Sequence, residues 1–373
     1  MVGRPTERER TMTGPEGLER RLAAVHALLS NIPDPVILVD EHGVVREGNE
    51  AARILLPALR IGQPLSYALR APEILEGVTA VLSARKTVRV EYHQRVPVDR
   101  TFDVQIGVLG NAAAGEHGGH GVMLFFRDLT AARRLEQMRV DFVANVSHEL
   151  RTPLTSLVGF IETLQGSARH DPAARDRFLE IMGGQAWRMT RLIDDLLSLS
   201  RIELHAHIPP TGPVDLRLIA GEMVEALGSM AREQRVEIAL STGNEPLLVV
   251  GDRDELLRVV ENLVENAVKY GESGRRVEVS LRRSGGEGAL GTVDLSVKDF
   301  GPGIAPEHLP RLTERFYRVD AAESRDKGGT GLGLAIVKHI VNRHRGRLLI
   351  DSEPGQGALF RVILPAYMPE PSR

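Results

Sequence analysis

Between residues 129 and 204 the apolar residues keep step with an α-helix, and this regularity limits the fold more than any other feature of the chain. Leu135, Met138, Phe142, Val146, Leu150, Leu154, Leu157, Ile161 and Leu164 recur at intervals of three and four, the spacing that gathers side chains on one helical face. After the polar stretch GSARHDPAAR a second stripe follows, made of Phe178, Met182, Met189, Leu192, Leu196 and Leu199. Two long amphipathic helices joined by a short polar loop form a helical hairpin. A single hairpin leaves an apolar seam in water, whereas two hairpins close it as a four-helix bundle. The expected assembly is a homodimer through helices 129–165 and 173–204.

The first helix carries a second, polar stripe. Asp141, Asn145, His148, Thr152 and Ser156 follow one another at intervals of four, three, four and four, apart from the apolar face. His148 therefore points away from the seam, where packing does not require it. An imidazole is partly neutral at pH 7 and can act as a nucleophile. Glu149 can accept its other ring N–H and serve as a base. Pro153 lacks an N–H and can bend the helix just past this point. A helical histidine is more often structural or merely exposed, so the stripe alone leaves both readings open.

The rest of the chain divides around the hairpin. Residues 1–17 are charged and contain Gly and Pro, as expected of a disordered tail rather than a signal peptide. Residues 18–128 read as a small α+β unit. It has a helical pattern from Leu18 to Leu29, a strand from Val36 to Val39, a turn and return strand, and a helix beginning at EAARILL. Three strand patterns follow, TVRVEYHQRVP, TFDVQIGVL and GVMLFFRDL. His117 and His120 sit in the Gly-rich loop between the last two, without the further ligands that a metal site needs. The hairpin region spans 129–207. Residues 208–366 alternate helix and strand patterns, with a tail at 367–373. Expected there are a helix from Leu216 to Gln234, strands Val236–Leu240 and Leu247–Gly251, and a helix from Asp254 to Tyr270. Strands RRVEVSLRR and TVDLSVKDF, a helix from Leu334 to His344, and strands RLLIDSE and ALFRVILP complete a two-layer α/β sandwich. The fold class is multidomain α/β.

Composition removes several function classes. The 373 residues carry a formal net charge of −3 and no cysteine. Disulfides, thiolate catalysis and cysteine-ligated zinc are excluded, and a reducing cytoplasm is the expected compartment. Near-neutral charge gives no sign of direct nucleic-acid binding. No apolar run approaches the ~18 residues of a membrane helix.

The C-terminal unit contains three polar signals in fixed order. In ELLRVVENLVENAVKY, Asn262, Asn266 and Lys269 share one helical face, apart from the apolar face of Leu256, Val260, Leu263, Val264 and Ala267. They could face solvent or hold Mg²⁺ and phosphate oxygens. In VDLSVKDFGPGI, Asp299 shares the parity of Val293, Leu295 and Val297, the buried side of a strand. A buried carboxylate needs a partner, and Gly301 and Gly303 beside it allow close backbone approach. Such an acceptor suits a donor like the exocyclic amine of adenine. In KGGTGLGLAIV, Gly328, Gly329, Gly331 and Gly333 precede a helix, a pattern that presents backbone N–H groups to phosphates.

Together these segments resemble the Bergerat-type nucleotide-binding fold shared by sensor histidine kinases, DNA gyrase, the Hsp90 chaperones and MutL. ENLVENAVKY is similar to the N box, DFGPGI to the first glycine box, RFYR to the F box and GGTGLGLAIV to the second glycine box. GQGALF is similar to the closing glycine motif. The resemblance implies that Asn266 binds Mg²⁺, that Asn262 and Lys269 lie near the phosphates of ATP, and that Asp299 reads adenine. Gly301, Gly303, Gly329, Gly331 and Gly333 then line the nucleotide. Residues 318–330 become a mobile lid from which Arg318 or Lys327 reaches the phosphates.

Upstream, SHELRTPLT resembles the phosphoacceptor box of sensor histidine kinases, an element absent from gyrase and Hsp90-type ATPases. It implies that ATP phosphorylates His148 and that the phosphoryl group passes to an aspartate of a cognate response regulator. Glu149 and Thr152 fit the Glu-x-x-Thr pattern of the family's phosphatase activity, with Thr152 positioning a water. NIPDPVILVDEHGVVREGNEAA resembles a PAS sensor domain, in wording most like phosphate-regulon sensor kinases. Such sensors usually carry membrane helices ahead of the PAS domain. None is found here, which leaves cytoplasmic sensing, a membrane signalling partner or a truncated start. An adaptor with a degenerate kinase module would need damaged ATP boxes, and none is damaged. A serine kinase or mechanical ATPase of the same fold would make the histidine box an accident.

Overall fold

The structure is a computed structural model that describes residues 26–95, 98–109, 121–205, 208–285, 291–320 and 329–367. It divides into two compact units, residues 1–141 and 142–373. The Gly-rich loop with His117 and His120 lies outside the described residues, as do residues 1–17 and, of the predicted C-terminal tail, 368–373.

The first unit is built on a five-stranded antiparallel sheet with the order β2-β1-β5-β4-β3. Its strands are β1 (Val36–Val39), β2 (Val45–Gly48), β3 (Val88–Gln94), β4 (Arg100–Leu109) and β5 (Gly121–Asp128). Between β2 and β3 lie α1 (Glu50–Leu55), α2 (Leu65–Ala68) and α3 (Pro72–Ala84). Alternation places Phe102, Val104 and Ile106 of β4 on the buried face, packed with Leu124 and Phe126 of β5 and with Ile74, Val78 and Val81 of α3. The α3 helix is an element the sequence reading did not name. Pro72 fits its first turn, where no N–H is needed. Asn49 fixes the turn into α1. Its Oδ1 accepts from Val36 N at 3.0 Å and Ala52 N at 3.0 Å, while its Nδ2 donates to Asp34 O at 2.8 Å.

The hairpin consists of α4 (Thr130–Gln165) and α5 (Pro172–Leu204). Asp171 caps α5 by accepting from Ala174 N at 3.0 Å. Near the closed end Phe160 and Phe178 pack with ring centroids 5.1 Å apart and planes tilted by 34°. Pro153 lies inside α4 and is that helix's buried residue. Much of the apolar surface stays uncovered within one chain, with Leu154 at 52 % exposure, Leu179 at 52 % and Trp187 at 75 %.

The sandwich follows. Its sheet has the order β11-β12-β10-β9-β7 and is antiparallel except for the parallel pair β7 and β9. The strands are β7 (Glu237–Ser241), β9 (Arg276–Ser284), β10 (Thr292–Asp299), β11 (Arg347–Ser352) and β12 (Ala358–Pro365). Helices α6 (Leu216–Ala226), α8 (Arg253–Tyr270) and α9 (Gly333–Arg343) bring Ile219, Leu263 and Ile336 into one core with Val279, Leu295 and Val362 of the sheet. The helix expected from Leu216 to Gln234 is broken at Leu227, whose ψ of −3° ends α6 before α7 (Gly228–Glu233) begins. The next residue, Gly228, is a poor helix former. The strand expected at Leu247–Gly251 is β8 (Leu248–Val250). It pairs with β6 (Pro213–Asp215) outside the main sheet. Among the described residues, no helix is long and apolar enough to cross a membrane.

Candidate nucleotide and phosphoacceptor site

Strand alternation carries Asp299 to the buried face of β10, where it is 5 % exposed. Its Oδ1 accepts from Gly301 N at 3.0 Å and from Ala358 N at 3.2 Å. Burial pushes this carboxyl above the usual carboxylate range, and the two backbone N–H groups oppose that rise. Both bonds fall on Oδ1, which leaves the second oxygen as an acceptor in the cavity that Asp299 lines. That cavity has a volume of about 970 Å³.

The α8 helix supplies the opposite wall with Asn262, Asn266 and Lys269. Asn262 Nδ2 donates to Arg258 O at 2.8 Å, and Lys269 Nζ pairs with Glu265 at 2.7 Å. Gly303, Gly329, Gly331 and Gly333 complete the lining, while Gly301 acts through its bond to Asp299. A Cβ on Gly333 would collide with Asn262 Oδ1, so the glycine lets the start of α9 press against α8. Gly331 has φ +73°, and its carbonyl accepts from Phe316 N at 2.8 Å. Phe316 itself has φ +63°, a left-handed conformation rare for a bulky residue. The two flanks of the predicted lid are thus stitched together at their base. Lys327, which belongs to that lid, lies outside the described residues.

The hairpin forms part of the same cavity through Arg191, Asp194 and Asp195. Three of its carboxylates each meet an arginine of the sandwich. Glu149 pairs with Arg318 at 2.9 Å, Asp195 with Arg258 at 2.6 Å, and Glu203 with Arg315. Asp195 also accepts from Thr330 Oγ1 at 2.7 Å, and Glu149 lies 3.5 Å from Arg188 on the neighbouring helix. Arg318, expected to reach phosphate, lines the cavity, but its guanidinium holds Glu149. His148 is exposed on α4, one residue from that ion pair, and its carbonyl accepts from Thr152 Oγ1 at 3.2 Å. Among the described residues its ring makes no hydrogen bond. Asp141, Asn145 and Thr152 share its exposure, while Ser156 is half-buried.

A magnesium ion fits this donor set. It commonly takes one or two protein oxygens and completes its shell with phosphates and water. Asn266 offers such an oxygen in the cavity. Among the described residues, no group of three or more His, Cys, Asp or Glu side chains forms a metal cage of its own.

Residues 251–368 match the family described as histidine kinase-, DNA gyrase B- and HSP90-like ATPase, and residues 138–205 match the His Kinase A (phospho-acceptor) domain. The phosphate regulon sensor protein PhoR of Pseudomonas aeruginosa is 38 % identical over 350 residues, covering 91 % of this chain and 74 % of PhoR. The chain belongs to the sensor histidine kinase family. The kinase is also 39 % identical over 251 residues to the sensor-like histidine kinase SenX3 of Mycolicibacterium smegmatis, covering 67 % of this chain and 63 % of SenX3. Against the sensor histidine kinase WalK of Bacillus subtilis it is 33 % identical over 358 residues, covering 94 % of this chain and 56 % of WalK. The expected helical hairpin and ATP-binding α/β sandwich are both present in the kinase.

The kinase contains contacts at the cavity that the sequence does not announce. Asp195 is the clearest. It lies three residues after Leu192 and four before Leu199, on the buried stripe of α5. A carboxylate at an apolar position signals a partner arriving from elsewhere. What no spacing reveals is that the partners are Arg258 and Thr330, 63 and 135 residues away in sequence.

Proposed function

We propose that this kinase binds ATP in the 970 Å³ cavity and transfers its γ-phosphoryl group to His148. One observation carries the reading: a cavity combining Asp299, the α8 amides and a glycine-rich helix start has its remaining wall on the helical pair that bears an exposed histidine. The unprotonated ring nitrogen of His148 attacks the γ-phosphorus. The bond to the bridging oxygen breaks, and ADP leaves with its electron pair. The proton on the other ring nitrogen passes to Glu149 or to water. Asp299 accepts from the adenine amine, Asn262 and Lys269 lie near the phosphates, and either Lys327 or Arg318, once it releases Glu149, serves the phosphates from the lid. Gly303, Gly329, Gly331 and Gly333 admit the nucleotide to close backbone contact, and Gly301 holds the Asp299 carboxylate that reads it. Magnesium held by Asn266 would neutralise charge on the phosphates.

In this reading residues 18–128 are a PAS-like sensor domain, 129–207 the dimerisation and phosphotransfer hairpin, and 208–366 the catalytic domain. The uncovered apolar face of the hairpin supports a homodimer. The phosphoryl group then moves to an aspartate of a cytoplasmic response regulator, and Thr152 positions a water for the reverse, phosphatase reaction. The PhoR likeness supports control by phosphate supply, with a membrane protein as signal source. Incubation with γ-labelled ATP and Mg²⁺ tests the core of the proposal. The expected label is acid-labile and base-stable, and it vanishes in His148→Gln while nucleotide still binds. Label that survives in that variant overturns the assignment.

A further inference from the structure

The hairpin brings a cation to the cavity as well as two carboxylates. Arg191 of α5 lines it, with Nη1 3.2 Å from Glu265 Oε1 on α8. The same carboxylate oxygen accepts Lys269 Nζ at 2.7 Å. One anionic oxygen is therefore shared by two cations, one from each side of the cavity. Phosphate oxygens offer the same charge and the same acceptor geometry, and arginine is well shaped to take them.

The position of Arg191 along α5 matters as much as its partner. Arg188, three residues earlier, lies level with Glu149, the neighbour of His148. Three helical residues rise about 4.5 Å. Arg191, within the cavity lining, thus lies about one helical turn from the level of the phosphoacceptor. The other hairpin residues of the lining are Asp194 and Asp195, which repel phosphate, and Asp195 is already held by Arg258 and Thr330.

We propose that Arg191 is a substrate-binding residue lent by the hairpin: when ATP enters, Arg191 and Lys269 exchange the Glu265 carboxylate for terminal phosphate oxygens. The proposal rests on the cavity being the ATP site. It adds that the site is incomplete without the hairpin and that ATP is told from ADP by a side chain outside the sandwich.

The test measures ATP and ADP affinity of the full chain by calorimetry, for the parent and for Arg191→Gln and Arg191→Lys. Arg191→Gln is expected to weaken ATP about tenfold, the worth of one charge-assisted hydrogen bond, with ADP affinity held within about twofold. Arg191→Lys, which keeps the charge, retains part of the preference. The labelling rate at saturating ATP falls in parallel in Arg191→Gln. An unchanged ATP-to-ADP ratio overturns the proposal, and so does an equal loss of both nucleotides, which marks a merely structural role. If the parent chain binds neither nucleotide, the ATP-site reading itself fails, an outcome distinct from failure of the Arg191 assignment.

Discussion

The two ends of the cavity are built differently. At the end assigned to the base, Asp299 is fixed by backbone N–H groups of Gly301 and Ala358 and sits deep in the sandwich. At the end assigned to the phosphates, Asn262 bonds a backbone carbonyl, but the cations and Thr330 are tied to side chains. Lys269 holds Glu265, Arg318 holds Glu149, and Thr330 holds Asp195. Two of those three partners belong to the hairpin. Backbone fixing gives a recognition point that does not change with domain position. Side-chain ties can be exchanged, so the phosphate end reports where the hairpin is.

Breaking the rigid end has the largest expected effect. Asp299→Ala removes the acceptor and strands two N–H donors. It lowers ATP affinity by roughly a hundredfold, as read by calorimetry, and loss of labelling follows. Retention of nucleotide binding in this variant would erase the distinction between the ends. Asp195→Ala attacks the exchangeable end. It leaves Arg258 without its carboxylate at 28 % exposure and Thr330 without its acceptor, and it costs roughly 2 kcal/mol. That is less than the about 3–5 kcal/mol of a fully buried broken pair. Hydrogen exchange is expected to rise around Thr330 and Leu192, while exchange at Gly301 and Ala358 stays as it was.

The smallest effect comes from acid. His344 is fully packed, with Nε2 accepting from Asp252 N at 3.0 Å and Nδ1 donating to Ile340 O at 2.8 Å. These bonds specify the neutral ring, and burial holds its pKa below the ordinary value of 6.5. The unfolded chain therefore binds this proton more readily than the folded one. Stability is complete above about pH 6.5 and is lost as pH falls below it, toward the lowered folded value. The ring joins the end of α9 to the start of α8, the two helices of the phosphate end. Urea midpoints between pH 7.5 and 5.5 should decline in the parent and flatten in His344→Asn (about a unit either side of the ordinary imidazole value).

Long periodic elements were legible in the sequence because one rule governs them throughout. The stripes of α4 and α5, and the alternation that buries Asp299, follow directly from the positions of apolar residues. The α3 helix was missed although Ile74, Val78 and Val81 have helical spacing, because its flanks lack a side-chain cap. The break at Leu227 depends on a local backbone choice that Gly228 permits but does not demand. The cavity glycines were readable as a group. The ties of Glu149, Asp195 and Glu203 to Arg318, Arg258 and Arg315 were not, since they depend on how the sandwich seats on the hairpin.

That seating has a thermodynamic cost for motion. Leu192, Leu199 and Ile202 of α5 are sealed within the same core as Leu263 and Ile336 of the sandwich. Were the catalytic module to lift away, these side chains would be wetted at roughly 1.5–3 kcal/mol apiece. A detached module is therefore a minority species in the resting chain, and any surface that covers the vacated strip of α5 multiplies its population.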